Sequence, residues 1–409
     1  MKKKFLLLFS LLPILASCSE QTNYIAEVIK LDDFSYTKEQ VALAEEVVSI
    51  LEKDHFLKKS FNSIQIEAFD LYLERLDPNK NIFLSSELTE FKEEISSEAN
   101  IEDNLKVAYE AFKTYGNRYQ TRYDLQIDFL KNIAEDDLKS SKRIIRDRSK
   151  AERLDSIEGL KDSWKDLIVN DVIQLMLSGN SVEASAEKTL KRLRNQHNYF
   201  NQTRNEDIFN IYINSISSIY GPHTSYMSPK NTEDFDINMS LSLEGIGALL
   251  SADGLYTSIS SLIPGGPAEK SGLLKPKDKI IGVGQEDDGK IIDVVGWRLD
   301  DVVELIRGPK DSKVRLEIIP GTSLDDSNTK EIEIIRNLVK LEDQAAEKKV
   351  INIERGNKIF KIGVIELPAF YFDFEAYRKR DYSYRSSSKD VKKLLRELNQ
   401  ENVEGLILD

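Results

Sequence analysis

The densest chemistry in the sequence is a glycine-rich run just past its midpoint. Leu243-Glu244-Gly245-Ile246-Gly247-Ala248 sets two glycines around one apolar residue, directly ahead of a β-type stretch. Glycine takes positive φ without steric cost, so neighbouring N–H groups can point into one concavity, and such a concavity suits an anion. A dinucleotide loop wants three spaced glycines opening a helix; here a strand follows, so a nucleotide fits poorly. The better reading is a nest for a peptide's terminal carboxylate, with the peptide then adding to the sheet as a strand. Other chemistries fail on content. A single cysteine, Cys18, excludes an internal disulfide and a Cys-based zinc cluster. The three histidines, His55, His197 and His223, lie far apart and predict no His-built metal site. No Gly-x-Ser-x-Gly elbow occurs, and Pro222-His223-Thr224-Ser225 reads as a connector rather than a catalytic pair. The sequence thus assigns no catalytic residue, no metal and no cofactor.

The elements that must carry this loop change style along the chain. From Thr37 to about Ser218 glycine and proline are sparse, and apolar residues recur at helix spacing. Val41, Ala44, Val48 and Leu51 share one helix face, and Thr37 with Gln40 fits a capping box at its start. Asp77-Pro78-Asn79 ends the next helix, because proline disfavours a helical residue before it. Further helices are predicted over 101–132 and 158–178. Tyr109, Phe112, Tyr115, Tyr119 and Tyr123 recur at helix spacing and read as core and groove packing rather than a binding platform. Lys139 to Arg153 carries seven basic residues against Asp147 and Glu152. It reads as a solvated helix face rather than a contact for an acidic partner or anionic lipid.

After Tyr220, eight glycines crowd residues 245–284. Strands are predicted at Ile246–Ser251, Tyr256–Ile263, Lys279–Val283, Lys313–Ile319 and Lys330–Arg336, with a helix at Leu299–Ile306; this is a compact α+β pattern. Residues 359–367, Ser387–Asn399 and Val403–Asp409 follow as strand, helix and strand. The 409 residues carry 57 basic and 70 acidic side chains, a formal charge of −13. That balance argues against nucleic acid as a partner, since neutralising phosphates needs concentrated Lys and Arg.

The start of the chain reads as a targeting signal. Lys2, Lys3 and Lys4 precede an apolar run from Phe5 to Ala16 that is too short to span a membrane. Leu15-Ala16-Ser17-Cys18 resembles a bacterial lipobox, which implies lipidation of Cys18, export and a membrane tether; the alternative is simple cleavage near Ala16, with Cys18 a bystander. Removal of residues 1–17 takes away three lysines and leaves 54 − 70 = −16.

Several runs together resemble one family. Gly245-Ile246-Gly247, Pro264-Gly265-Gly266-Pro267-Ala268-Glu269-Lys270-Ser271-Gly272 and Asp278-Lys279-Ile280-Ile281-Gly282-Val283-Gly284 look like a bacterial PDZ domain. Trp297 to Val303 and Ile306-Arg307-Gly308-Pro309-Lys310 narrow this to the tail-specific proteases (C-terminal processing peptidases), periplasmic enzymes with a Ser–Lys dyad. Leu76-Asp77-Pro78-Asn79-Lys80, Tyr226-Met227-Ser228-Pro229, Leu341 to Ala346 and Ile365 to Tyr371 agree. Three positions depart from the family pattern: Gly221 for an aspartate, and Lys277 and Asp311 for glycines at turns that call for positive φ.

The resemblance implies a multidomain protein. Residues 1–18 are a signal with lipobox, 19–219 an all-α domain, 220–237 a connector, 238–338 an α+β PDZ domain, and 339–409 the opening of an α/β serine-protease core. It implies that N–H groups of Ile246, Gly247 and Ala248 hold a substrate carboxylate. Side chains of Ile246, Ala248, Leu250, Leu299, Val303 and Ile306 would line the pocket for its last apolar residue, and small Ala248 leaves that pocket roomy. The family's nucleophile and base fall beyond Asp409, so the chain reads as truncated and the 409 residues are expected to bind tails without hydrolysing them. The implied function is capture and processing of apolar C-termini of exported proteins in the periplasm, with an adaptor lipoprotein as a further possible partner. The alternative is a non-catalytic PDZ lipoprotein serving as scaffold or adaptor.

Overall fold

A computed structural model of the chain describes residues 29–95, 100–139, 142–323 and 328–409. The leader and Cys18 lie outside the described residues.

Among the described residues, seven α-helices form the first unit: α1 (Lys38–Asp54), α2 (Phe61–Leu76), α3 (Ser85–Glu94), α4 (Ile101–Lys131), α5 (Ile157–Leu177), α6 (Val182–Phe200) and α7 (Asn205–Tyr220). The expected capping box closes both ways, Gln40 N–H donating to Thr37 Oγ1 at 3.2 Å and Thr37 N–H to Gln40 Oε1 at 3.0 Å. Ala44 and Leu51 are buried, with Val41 and Val48 packed partly against the same core. Helices α2 and α7 meet through an edge-on Tyr72–Tyr212 pair with ring centroids 5.5 Å apart. Tyr109 and Phe112 belong to this core, and Tyr115 and Tyr119 pack against it, as the aromatic spacing implies.

The stop after α2 has a chemical cause beyond Pro78. Asp77 is 2% exposed and its carboxylate accepts N–H bonds from Asn81, Ile82 and Phe83 at 2.9, 3.0 and 3.1 Å. Arg153 neutralises it. That pair corrects the reading of the basic stretch, which over its described residues 142–153 is irregular backbone and not a helix. Its charges are drawn to acids elsewhere, Lys142 to Asp166 of α5 at 3.2 Å and Arg153 to Asp77. Helix propensity does not compete with these fixed partners.

The second unit is approached by a helix where the sequence suggested only a connector: α8 (Pro229–Ser240), capped by Ser228 and started by proline. A ribbon of β1 (Ser242–Gly245) and β8 (Asn337–Lys340) then brings the entry and exit of the unit side by side. Between them lie β2 (Ala248–Asp253), β3 (Tyr256–Leu262), α9 (Pro267–Ser271), β4 (Lys279–Gln285), β5 (Ile292–Asp293), α10 (Leu299–Ile306), β6 (Lys313–Ile319) and β7 (Lys330–Ile335). The sheet runs β2-β3-β4-β6-β7, with β5 on β4, so β2 is an edge strand. Alternate residues of β4, β6 and β7 (Ile280, Val314, Leu316, Ile318, Ile332 and Ile334) enclose one core with Val302 and Ile306 of α10.

Two of the noted turns do carry side chains at positive φ, Lys277 at +75° and Asp311 at +69°. A left-handed non-glycine residue costs about 1–2 kcal/mol, and glycine's extra unfolded entropy returns about 0.5–1 kcal/mol of that. Lys277→Gly should therefore raise stability by about 0.5–1 kcal/mol in urea unfolding. The main-chain bond from Lys277 N–H to Ile259 C=O (2.7 Å) survives the change. A loss of stability would show the turn to be unstrained.

The third unit is mixed. Strand β10 (Lys358–Glu366) pairs antiparallel with β9 (Glu347–Arg355) and parallel with β11 (Gly405–Leu408), through α11 (Phe374–Arg378) and the crossover helix α12 (Ser387–Gln400). Gly363 permits the close approach: a Cβ there would meet Leu398 of α12 at 2.9 Å. Tyr371 ties this unit to the segment after β8. Its hydroxyl donates to Asp390 at 2.7 Å and accepts from Ala346 N–H at 3.1 Å, and burial pushes its pKa up to about 12. The motif segments around Leu341–Ala346 and Ile365–Tyr371 are thus one packing unit.

Candidate peptide-binding site

The glycine run folds into a tight bend between β1 and β2, and its carbonyls and amides part company. Ile246 C=O accepts from Ala268 N–H at 2.7 Å, and Gly247 C=O from Ile263 N–H at 2.9 Å. The N–H groups of Ile246 and Gly247 bond to nothing among the described residues. Gly247 sits at φ +74°, the left-handed turn that swings consecutive amides toward one side. A Cβ on Gly247 would lie 3.1 Å from Gly266 Cα, and one on Gly266 would lie 2.9 Å from Ile263 C=O. The two glycine clusters of the sequence therefore exist for each other: one is the nest, and the other is the floor that holds its carbonyls.

Immediately after the bend, β2 presents an unpaired edge within the described sheet, the geometry strand addition needs. Helix α10 runs beside it. A Cβ on Gly245 would sit 4.0 Å from Arg307 Cα, so the C-terminal end of α10 lies at the nest and its start, Leu299, lies further along β2. Of the expected pocket residues, Ile246 and Ile306 are core members at 3% exposure each. Ala248, Leu250, Leu299 and Val303 are half-buried and supply the accessible wall. Leu299 and Val303 also line a cavity of about 560 Å³ closed on its far side by Pro229, Lys230 and Glu233 of α8. Testing the pocket by Ile246→Asp would put a charge in the core, so Ala248→Trp is the cleaner probe.

Residues the sequence did not single out hold α10 in place. Arg336, at 2% exposure, follows β7 and turns inward instead of extending the strand. Its guanidinium donates to Leu305 C=O (3.1 Å), Ile306 C=O (2.8 Å), Lys313 C=O (3.1 Å), Ser312 Oγ (3.0 Å) and Gln285 Oε1 (2.6 Å). It thus caps the last carbonyls of α10, where a cation also meets the negative end of the helix dipole. Burial lowers its pKa without removing its charge. Arg307 reaches the other way, to Asp234 of α8 at 2.7 Å. At the opposite end of α10, Arg298 pairs with Asp207 of α7 at 2.6 Å, and Arg204 with Asp301. A lone arginine at a strand end has no periodicity, so only the fold reveals it.

His223 and Ser225 are both exposed, and no hydrogen bond joins them among the described residues. His55 instead bonds Thr224 Oγ1 at 3.0 Å and packs edge-on against Tyr220, a structural role. Among the described residues no group of His, Cys, Asp and Glu could hold a metal ion.

Comparison with known proteins joins these parts. Residues 47–230 match the tail specific protease N-terminal domain model, and residues 234–319 the PDZ domain model. The chain is 36% identical to the tail-specific protease of Haemophilus influenzae over 363 residues, 88% of this chain and 49% of that protein. It is 32% identical to the carboxy-terminal processing protease CtpB of Bacillus subtilis over 47% of this chain and 34% of that one. It therefore spans about half the length of the first relative and about a third of the second. Among solved structures, the PDZ domain of a carboxy-terminal protease from Vibrio cholerae in complex with peptide is 51% identical over 25% of this chain and all of that one, with a TM-score of 0.24. The photosystem II D1 C-terminal processing protease is 22% identical over 49% of this chain and 48% of that one, with a TM-score of 0.27. With the helical and PDZ models abutting in that order and likeness to the Haemophilus enzyme running through both, the chain is similar to the tail-specific proteases along its helical and PDZ parts.

Proposed function

We propose that this chain is the tail-capturing portion of a serine-type endopeptidase that processes exported proteins ending in apolar residues. The observation that carries the reading is the bend at Ile246–Gly247, whose carbonyls are tied down and whose amides stay open beside the edge of β2. A free carboxylate is the anion that satisfies such a nest while its chain pairs with the edge strand. The apolar walls from Ala248, Leu250, Leu299 and Val303 favour an apolar last residue. Cleavage itself is assigned to the Ser–Lys dyad that the family resemblance implies.

The test is fluorescence polarisation with a labelled apolar-tailed peptide carrying either a free carboxylate or a terminal amide. Binding only of the free acid is expected. Equal binding of the amide would remove the nest from the account.

We place the protein in the periplasm, tethered through lipidated Cys18. In cells expressing the chain, Cys18→Ser should move it from the membrane to the soluble periplasmic fraction. Retention in the membrane would sink the tether.

A further inference from the structure

A larger cavity, about 920 Å³, opens where the helical unit faces the start of α10. Tyr115 and Tyr119 of α4 and Tyr199 of α6 wall one side, and Arg298 and Asp300 the other. Lys230 and Asp300 also line the cavity along Leu299 and Val303, so the two spaces share part of one wall. We propose that this cleft holds the polypeptide segment upstream of a captured tail, which makes it a second substrate subsite. The proposal rests on the nest at Ile246–Gly247 being the carboxylate site.

Direction follows from the sheet. A peptide with its carboxylate at the bend runs antiparallel to β2, so its upstream residues travel toward Asp253 and the start of α10. Helix α10 has eight residues, a length of about 12 Å, which an extended peptide covers in about four residues. The next residues upstream meet Arg298 and Asp300 at the mouth of the cleft.

The lining matches an extended chain of little sequence preference. Asn195, Gln196 and Asn231 line the cleft and offer side-chain amides. Each carries a donor and an acceptor, the same pair that every peptide unit presents. Tyr119 packs on Phe200 with centroids 4.4 Å apart, while Tyr199 is 77% exposed, so a firm aromatic floor carries one ring free to cover an apolar side chain. Most of the charges are paired internally: Arg204 and Lys230 face Asp301, Arg298 faces Asp207, and Arg75 donates to Ser215 and Ser218, while Glu206 at the rim joins no ion pair among the described residues. A cleft with most of its charges paired selects chain rather than charge.

The experiment compares two peptides with the same apolar tail, one of about five residues and one of about fifteen, the latter extended upstream by uncharged residues. Both are titrated against the full chain and against the Tyr199→Ala/Gln196→Ala double variant, two exposed positions whose loss leaves the core intact. The long peptide should bind about three- to tenfold more tightly than the short one, a gain the variant abolishes without altering short-peptide affinity. A photoreactive residue about seven positions from the carboxylate should cross-link to residues within 195–210 or 228–231. A short peptide that binds as tightly as the long one, or cross-links falling only outside these segments, overturns the subsite alone. A short free-acid peptide that does not bind overturns the nest, and the subsite with it.

Discussion

Gly247→Val should abolish tail binding while leaving the PDZ domain folded. The native φ of +74° lies in the region where an L-residue costs about 1–2 kcal/mol, and a β-branched one sits there worst. The space is closed as well. A Cβ would press on Gly266 Cα at 3.1 Å and Val339 Cγ2 at 3.3 Å. The main-chain neighbour cannot give without breaking the bond from Ile263 N–H to Gly247 C=O. The bend must therefore relax toward negative φ, and relaxation turns the open amides away from a common point. Two charge-assisted bonds lost together amount to about 3 kcal/mol, or at least about a hundredfold in affinity for a free-acid tail. Ala248→Trp ought to act differently, filling the pocket without disturbing the amides, so that short polar anions still bind. If Gly247→Val binds apolar tails like the parent, the carboxylate is held elsewhere.

How much of this was legible beforehand depends on the kind of interaction. The capping box at Thr37, the stop at Leu76, helix α10 and strand β6 are set by short-range pattern, and all four stand where the spacing put them. The bend at the glycine run was legible because positive φ is a local property, and Gly247 takes it. Its true strand begins at Ala248, two residues later than the apolar pattern suggested, because Ile246 is buried in the bend itself. The basic segment misled for the opposite reason. Its residues are helix-compatible, but Asp77, Asp166 and other distant acids claim them one by one. Strand β9 was missed because Glu347-Lys348-Lys349 reads as solvated, and its pairing to β10 through nine residues supplies what its composition does not. Helix α8 hid behind its proline, which starts the helix rather than marking a linker.

Arg336 belongs to the class that no local pattern shows, and its replacement should give the largest loss of stability in the PDZ domain. Five acceptors converge on one guanidinium at 2% exposure, three of them backbone carbonyls. Arg336→Ala leaves those carbonyls buried without donors and opens a void beneath Gly308, whose own Cβ position lies 3.0 Å from the guanidinium. Orphaned buried acceptors cost about 1–3 kcal/mol each where water cannot reach them, so a loss of about 3–5 kcal/mol is expected even after partial rehydration. Arg336→Lys should recover little, since a single ammonium cannot span α10, β4 and β6 at once. The loss should also be local in a telling way. Hydrogen exchange across Val303–Arg307 should accelerate before exchange in β4 and β6, because the final turn of α10 is the part released. Tail affinity should fall in parallel, since Leu299 and Val303 ride on that helix. Unchanged protection of α10 in Arg336→Ala would mean that packing of Val302 and Ile306 alone fixes the groove, and that the arginine is redundant to it.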